Sequence, residues 1–116
     1  MIVNKESNNK LSKKNILKGK EKFDAIFKFG KLISGKNINI IFLDSEVALI
    51  GFVVSRKVKN AIQRNYFKRV LREIYRLNKI HFPENKEMVL IAKGKEQSLA
   101  TLQQEVLNLL KTNFNI

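Results

Sequence analysis

At 116 residues the chain has the length of one domain with a single modest core, and its 44% hydrophobic content is that of a folded protein, not a disordered polycation. A formal net charge of +13 calls for a polyanionic partner, and the absence of cysteine excludes disulfides, thiolate chemistry and Cys-ligated metal centres. No apolar run approaches the roughly 20 residues needed to span a bilayer, and Met1-Ile2-Val3 is too short for a signal-peptide core, so the chain reads as cytoplasmic.

Residues 1–15 read as a flexible basic tail rich in Lys, Asn and Ser, and 16–116 as a single domain. Phe23, Ile26 and Phe27 recur at helical spacing between Lys20 and Phe29, with Gly30 as the C-terminal cap. Ile38 to Leu43 and Val47 to Val54 are apolar and β-branched, joined by Asp44-Ser45-Glu46, the pattern of a hairpin; Leu32-Ile33 reads as a shorter additional strand. The unbroken run VALIGFVV predicts a central strand covered on much of both faces. Ser55 ends that strand and is placed to cap a long helix reaching Leu77 or Asn78. A loop with Pro83 follows, then a strand over Met88 to Ala92. Ser98 is placed to cap a last helix, whose Leu99, Leu102, Val106, Leu109 and Leu110 form one apolar stripe. The order α-β-β-β-α-β-α predicts an α/β (α+β) two-layer domain, with a parallel strand pair inside a mixed four-stranded sheet.

All five arginines fall between Arg56 and Arg76, whereas eighteen lysines are spread from Lys5 to Lys111. Val47 to Arg72 contains no acidic residue. Guanidinium presents a planar fork that matches phosphate bidentately, while Lys is a flexible point charge. At about 100° per residue, Lys57, Asn65, Lys68, Arg69, Arg72 and Arg76 fall on a continuous arc of roughly 120°, with Arg64 just outside its edge. Ile62, Tyr66, Phe67, Val70, Leu71 and Ile74 lie opposite, the face that covers a sheet. Glu73 stands at the seam, within helical reach of Arg69 or Arg76. Cations at i, i+4, i+8 and i+12 repel one another by a few tenths of a kcal/mol per pair, so the row favours an anionic ligand over a merely solvated face. A membrane-surface helix would leave its apolar side free, and here the core claims that side.

The stretch SRKVKNAIQRNYFKRVLRE, Ser55 to Glu73, closely resembles the signature of the bacterial ribonuclease P protein subunit. Leu17, Phe23, Phe27 and Gly30 match the spacing of that family's first helix, and VALIGFVVS, MVLIAK and the final amphipathic helix fit its flanks; the resemblance covers roughly residues 11–114. It implies a left-handed strand–helix–strand crossover, where the general rule is right-handed. It further implies a protein that pairs with a large catalytic RNA to remove the 5′ leader of precursor tRNA, with Mg²⁺ bound mainly by that RNA and no obligate protein partner. RNA contact would fall to Arg56, Lys57, Asn60, Arg64, Asn65, Lys68, Arg69, Arg72 and Arg76. A leader cleft between the first helix and the sheet would use Phe23, Phe27 and Ile41. The family's Arg-Asn-Arg is Arg64-Asn65-Tyr66 here, its usual Gly before Asn60 is Lys59, its Arg before Leu17 is Ile16, and its strand aromatic is Ile41, beside Phe42. Two aromatics at i, i+4 also suit a core, and both readings of Phe23 and Phe27 stand.

The chain offers one histidine, His81, in a loop, and its acids are dispersed with no metal-ligand spacing or Gly-rich phosphate loop. The polypeptide is therefore expected to contribute no catalytic residue and no metal site. The alternative to the ribonuclease P reading is a ribosomal or general RNA-binding module.

Overall fold

In the computed structural model, which describes residues 15–114, the elements are α1 (Lys20–Phe29), β1 (Lys31–Ile33), β2 (Ile38–Asp44), β3 (Leu49–Val54), α2 (Ala61–Leu77), β4 (Lys86–Ala92) and α3 (Leu99–Phe114). A 3-10 turn over Lys79–His81 leads from α2 toward β4. Of the basic tail only Asn15 falls within the described residues. Its Nδ2 donates to the Ala48 carbonyl at 3.3 Å, and its Oδ1 accepts from Lys79 Nζ at 3.3 Å.

The sheet runs β1-β2-β4-β3. β2 and β3 are therefore not a hairpin: β4 lies between them, antiparallel to β2 and parallel to β3. The turn after β2 is fastened to the loop before β4, Ser45 N–H donating to Asn85 O at 3.0 Å. The central strand expected at VALIGFVV is in fact β4, with Met88, Val89, Leu90 and Ala92 buried. β3 is an edge strand, its outer side partly closed by a parallel bridge from Ile16 to Ile50 and by Leu17 N–H on Ile50 O at 2.8 Å. Both strands are continuous apolar runs, and only the crossover through α2 decides which is inside. The expected parallel pair, the short strand β1 and the three helices are all present.

One face of the sheet is closed by α2 and α3 over Ile38, Ile40, Ile50, Val54, Phe67, Leu71, Ile74, Leu90, Leu102, Val106 and Leu110. Leu102, Val106 and Leu110 of the expected stripe are fully buried, with Leu99 and Leu109 packed at its margin. The opposite face carries a smaller cluster, Leu17, Ile26, Ile41 and Val89, under α1. Gly30 caps α1, its N–H donating to Ile26 O at 2.8 Å, although its φ of −75° is open to any residue. Space is what demands glycine there: a Cβ would lie 2.5 Å from Ile26 O and 2.9 Å from Ile41 Cγ1.

α2 begins later than Ser55 predicts. Asn60 is its N-cap, Oδ1 accepting from Ile62 N at 2.8 Å and Gln63 N at 3.1 Å, while Ser55 Oγ accepts from Lys57 N and closes a local turn. Lys57 thus precedes the helix and leaves the wheel. Ile62, expected on the covered face, is 80% exposed, because the helix reaches the core only from Phe67 onward. Ser98 does cap α3, its Oγ accepting from Thr101 N at 3.2 Å.

One tie joins α3 to the start of β2. The Glu105 carboxylate accepts from Asn37 N at 2.8 Å, Ile38 N at 2.9 Å and Asn37 Nδ2 at 2.9 Å. Asn37 and Ile38 are buried, so removing the acceptor strands donors away from water. Glu105→Ala is expected to lower stability by about 2–3 kcal/mol, read as a fall in the urea midpoint at unchanged slope.

Candidate RNA interface

Two surfaces are available to a nucleic acid, on opposite faces of the sheet. The first is the outer side of α2. Asn65, Lys68, Arg69 and Arg72 are exposed, and they stand where the wheel places them. Phe67, Val70, Leu71, Ile74 and Tyr75 are buried beneath, which fixes the orientation of the helix. The Arg72 guanidinium lies 5.8 Å from the centre of the Phe52 ring, a cation–π contact that steadies an otherwise exposed side chain. Tyr66 takes a structural place: its hydroxyl donates to Gln97 O at 2.6 Å, tying α2 to the loop before α3.

The chain's only acid on this stretch of helix pairs with Arg76. Arg76 Nε donates to Glu73 Oε1 at 3.0 Å and Nη2 to Oε2 at 2.5 Å. Hydrogen bonding to Arg76 holds the Glu73 carboxyl below its usual value, and the same bonds raise the Arg76 guanidinium. A depressed carboxyl pKa keeps the pair ionised above the ordinary carboxylate range, and the pairing is lost only as pH falls through the lowered value.

Before α2, the loop 55–60 carries Arg56, Lys57 and Lys59, all exposed, with Val58 buried as its anchor. Asn60 is exposed, but its Oδ1 is committed to the helix cap. Arg64 differs from its neighbours in the row. It is only part-exposed, and its guanidinium donates to backbone carbonyls of Val54, Ser55 and Val58.

The second surface is the sheet face beside α1. Strand register places side chains in rows on this face: Leu43-Glu87-Leu49, then Leu32-Ile41-Val89-Gly51, then Asn39-Ile91-Val53. α1 lies over the first two rows. Lys22 Nζ meets Glu87 Oε2 at 3.0 Å, and the Phe23 ring sits on Gly51, where a Cβ would be 2.8 Å from Phe23 Cε1. The third row is left partly open, with Val53 and Ile91 half-buried. Phe23 and Phe27 stack at 6.5 Å between ring centres with 23° between planes. Phe23 is packed against the cluster, whereas Phe27 is 45% exposed. Phe23 is thus part of the packing under α1, whereas Phe27 presents its ring to solvent.

Ile41, named for the cleft on resemblance, is buried at 6% exposure beneath α1 and Gly30, and Phe42 points to the other face against Phe114. Val53, Ile91, Asn39 and Gly51 were not singled out from the sequence. Their period-2 alternation was there to read, but only the order of β3 and β4 shows which alternate residues share a face.

Among the described residues no helix is long and apolar enough to cross a membrane. A family model described as Ribonuclease P matches residues 11–113. The chain is 37% identical over 101 residues to the ribonuclease P protein component of Pelotomaculum thermopropionicum, spanning 84% of this chain and 90% of that one. The solved RNase P protein of Thermotoga maritima superposes with a TM-score of 0.74 at 33% identity, covering 83% of this chain and 94% of that one. That of Staphylococcus aureus gives 0.75 at 25% identity, covering 86% and 95%. A cationic helix seated by its apolar face on a mixed β1-β2-β4-β3 sheet, matched over nearly its whole described length, settles the family: this chain belongs to the ribonuclease P proteins, the protein component of the ribonucleoprotein endoribonuclease of tRNA processing.

Proposed function

We propose that the protein binds the catalytic RNA of ribonuclease P through α2 and the loop 55–60, and holds the 5′ leader of precursor tRNA on the sheet face beside α1. The observation that carries this reading is the pairing of two unlike surfaces. One is cationic and acid-poor, suited to phosphates; the other is a sheet face beside α1 with half-buried Val53 and Ile91 and the exposed Phe27 ring, suited to unpaired bases. The loop 55–60 joins them at the end of β3.

Removal of the leader is assigned to the RNA. Among the described residues no three His, Asp or Glu side chains come together as metal ligands. No step of the proposal runs through a metal ion on the protein. The polypeptide acts by position and charge: it screens phosphates where RNA meets RNA, and it adds contacts that precursor has and product lacks. Contacts of that kind raise precursor affinity without tightening product.

The test compares precursor and mature tRNA binding to the RNA alone and to the holoenzyme. Addition of protein should strengthen precursor binding and leave mature tRNA nearly unchanged. An equal gain for both would mark a general RNA-binding module.

A further inference from the structure

On a helical wheel Arg64 joins Lys68 and Arg72, but in the fold its guanidinium is already occupied. Nη1 donates to Ser55 O at 3.0 Å and to Val58 O at 2.9 Å, and Nη2 to Val54 O at 3.4 Å. The three acceptors belong to one short stretch, the end of β3 and the loop to α2 as far as Val58. That stretch has few other ties. Ser55 N–H continues the sheet onto Ala92 O at 2.9 Å, Val58 N–H returns to Ser55 O at 3.0 Å, and Lys57 N–H bonds Ser55 Oγ at 3.2 Å. Around these bonds stand the exposed cations Arg56, Lys57 and Lys59. Their mutual repulsion works against any one loop conformation. Charge-assisted bonds from a rigid fork to three carbonyls oppose that spread.

We propose that Arg64 is a positioning residue. It fixes the loop 55–60 so that Arg56, Lys57 and Lys59 meet the phosphates of the catalytic RNA already ordered, and it does not itself grasp a phosphate in a bidentate fork. The proposal rests on the reading of this loop as an RNA contact. A pre-ordered loop spares the entropy of immobilising three long side chains and their backbone on binding. Lysine at this position keeps the charge but has one point donor in place of a fork, so it does not bridge the three carbonyls.

The experiment uses Arg64→Lys in the full chain, alone and combined with Arg56→Ala, Lys57→Ala and Lys59→Ala. In the free protein the Val58 amide is expected to exchange roughly tenfold faster in R64K than in wild type, with β4 amides unchanged. Catalytic-RNA affinity should fall about tenfold at equal net charge, the size of one lost charge-assisted bond. That loss should vanish when the three loop cations are alanine, a coupling that a purely structural role would not produce. Unchanged Val58 exchange overturns the proposal. So does a full R64K loss that persists without the loop cations, which would mean Arg64 contacts RNA directly. If the triple-alanine loop binds as tightly as wild type, the loop is no RNA contact and the proposal falls with it. The exchange result then stands apart and shows that only the RNA half failed.

Discussion

Alanine at Lys68, Arg69 and Arg72 together is expected to flatten the salt dependence of catalytic-RNA binding by about two to three units of log K per log salt. Each phosphate neutralised contributes about 0.7–0.9 units, and these three side chains are exposed on α2, whose one acid, Glu73, is paired with Arg76. Extrapolated from 1 M to 0.1 M salt, that change in slope corresponds to an affinity loss on the order of a hundredfold or more. The fold should be nearly indifferent. All three side chains are outside the core, and their removal relieves like-charge repulsion of a few tenths of a kcal/mol per pair. Binding measured across a salt series checks both numbers. An unchanged slope would mean that this side of α2 faces solvent in the ribonucleoprotein.

Phe27→Ala should separate the second surface from the first. Its ring is 45% exposed and stacks on Phe23, so truncation removes little core. Stacking of one base on an aromatic ring contributes about 1–3 kcal/mol, so precursor-tRNA affinity of the holoenzyme should fall about 5- to 100-fold. Assembly with the catalytic RNA should be unaffected, because Phe27 lies on the face of the sheet opposite α2. Phe23→Ala is the poorer probe, since that ring also packs over Gly51 and would disturb the seat of α1. Equal loss for precursor and mature tRNA would remove Phe27 from any leader role.

Local features were legible in the sequence because their causes are local. α1 runs over Lys20–Phe29 as its periodicity and Gly30 predict, and α3 starts at the Ser98 cap with its leucine stripe inward. What failed depended on contacts between distant segments. Asp44-Ser45-Glu46 looks like a hairpin turn, yet Ser45 is held by Asn85, forty residues away, and β4 takes the middle of the sheet. Ser55 and Asn60 are both residues that cap helices, and the choice between them turned on where β3 releases the chain. The helix wheel located the cationic face but was blind to the Val54, Ser55 and Val58 carbonyls that occupy Arg64. Glu105 fastens the start of β2 from α3, a tie between segments nearly seventy residues apart that no local pattern announces.

In the proposed function, this polypeptide and a catalytic RNA form one enzyme whose chemistry resides in the RNA. Cleavage of precursor tRNA at low Mg²⁺, assayed with protein alone, catalytic RNA alone and the two combined, tests it most directly. Neither component alone should cleave under those conditions, and the mixture should release the intact 5′ leader. Cleavage by the protein alone would contradict the proposed function, and so would a mixture no more active than the RNA.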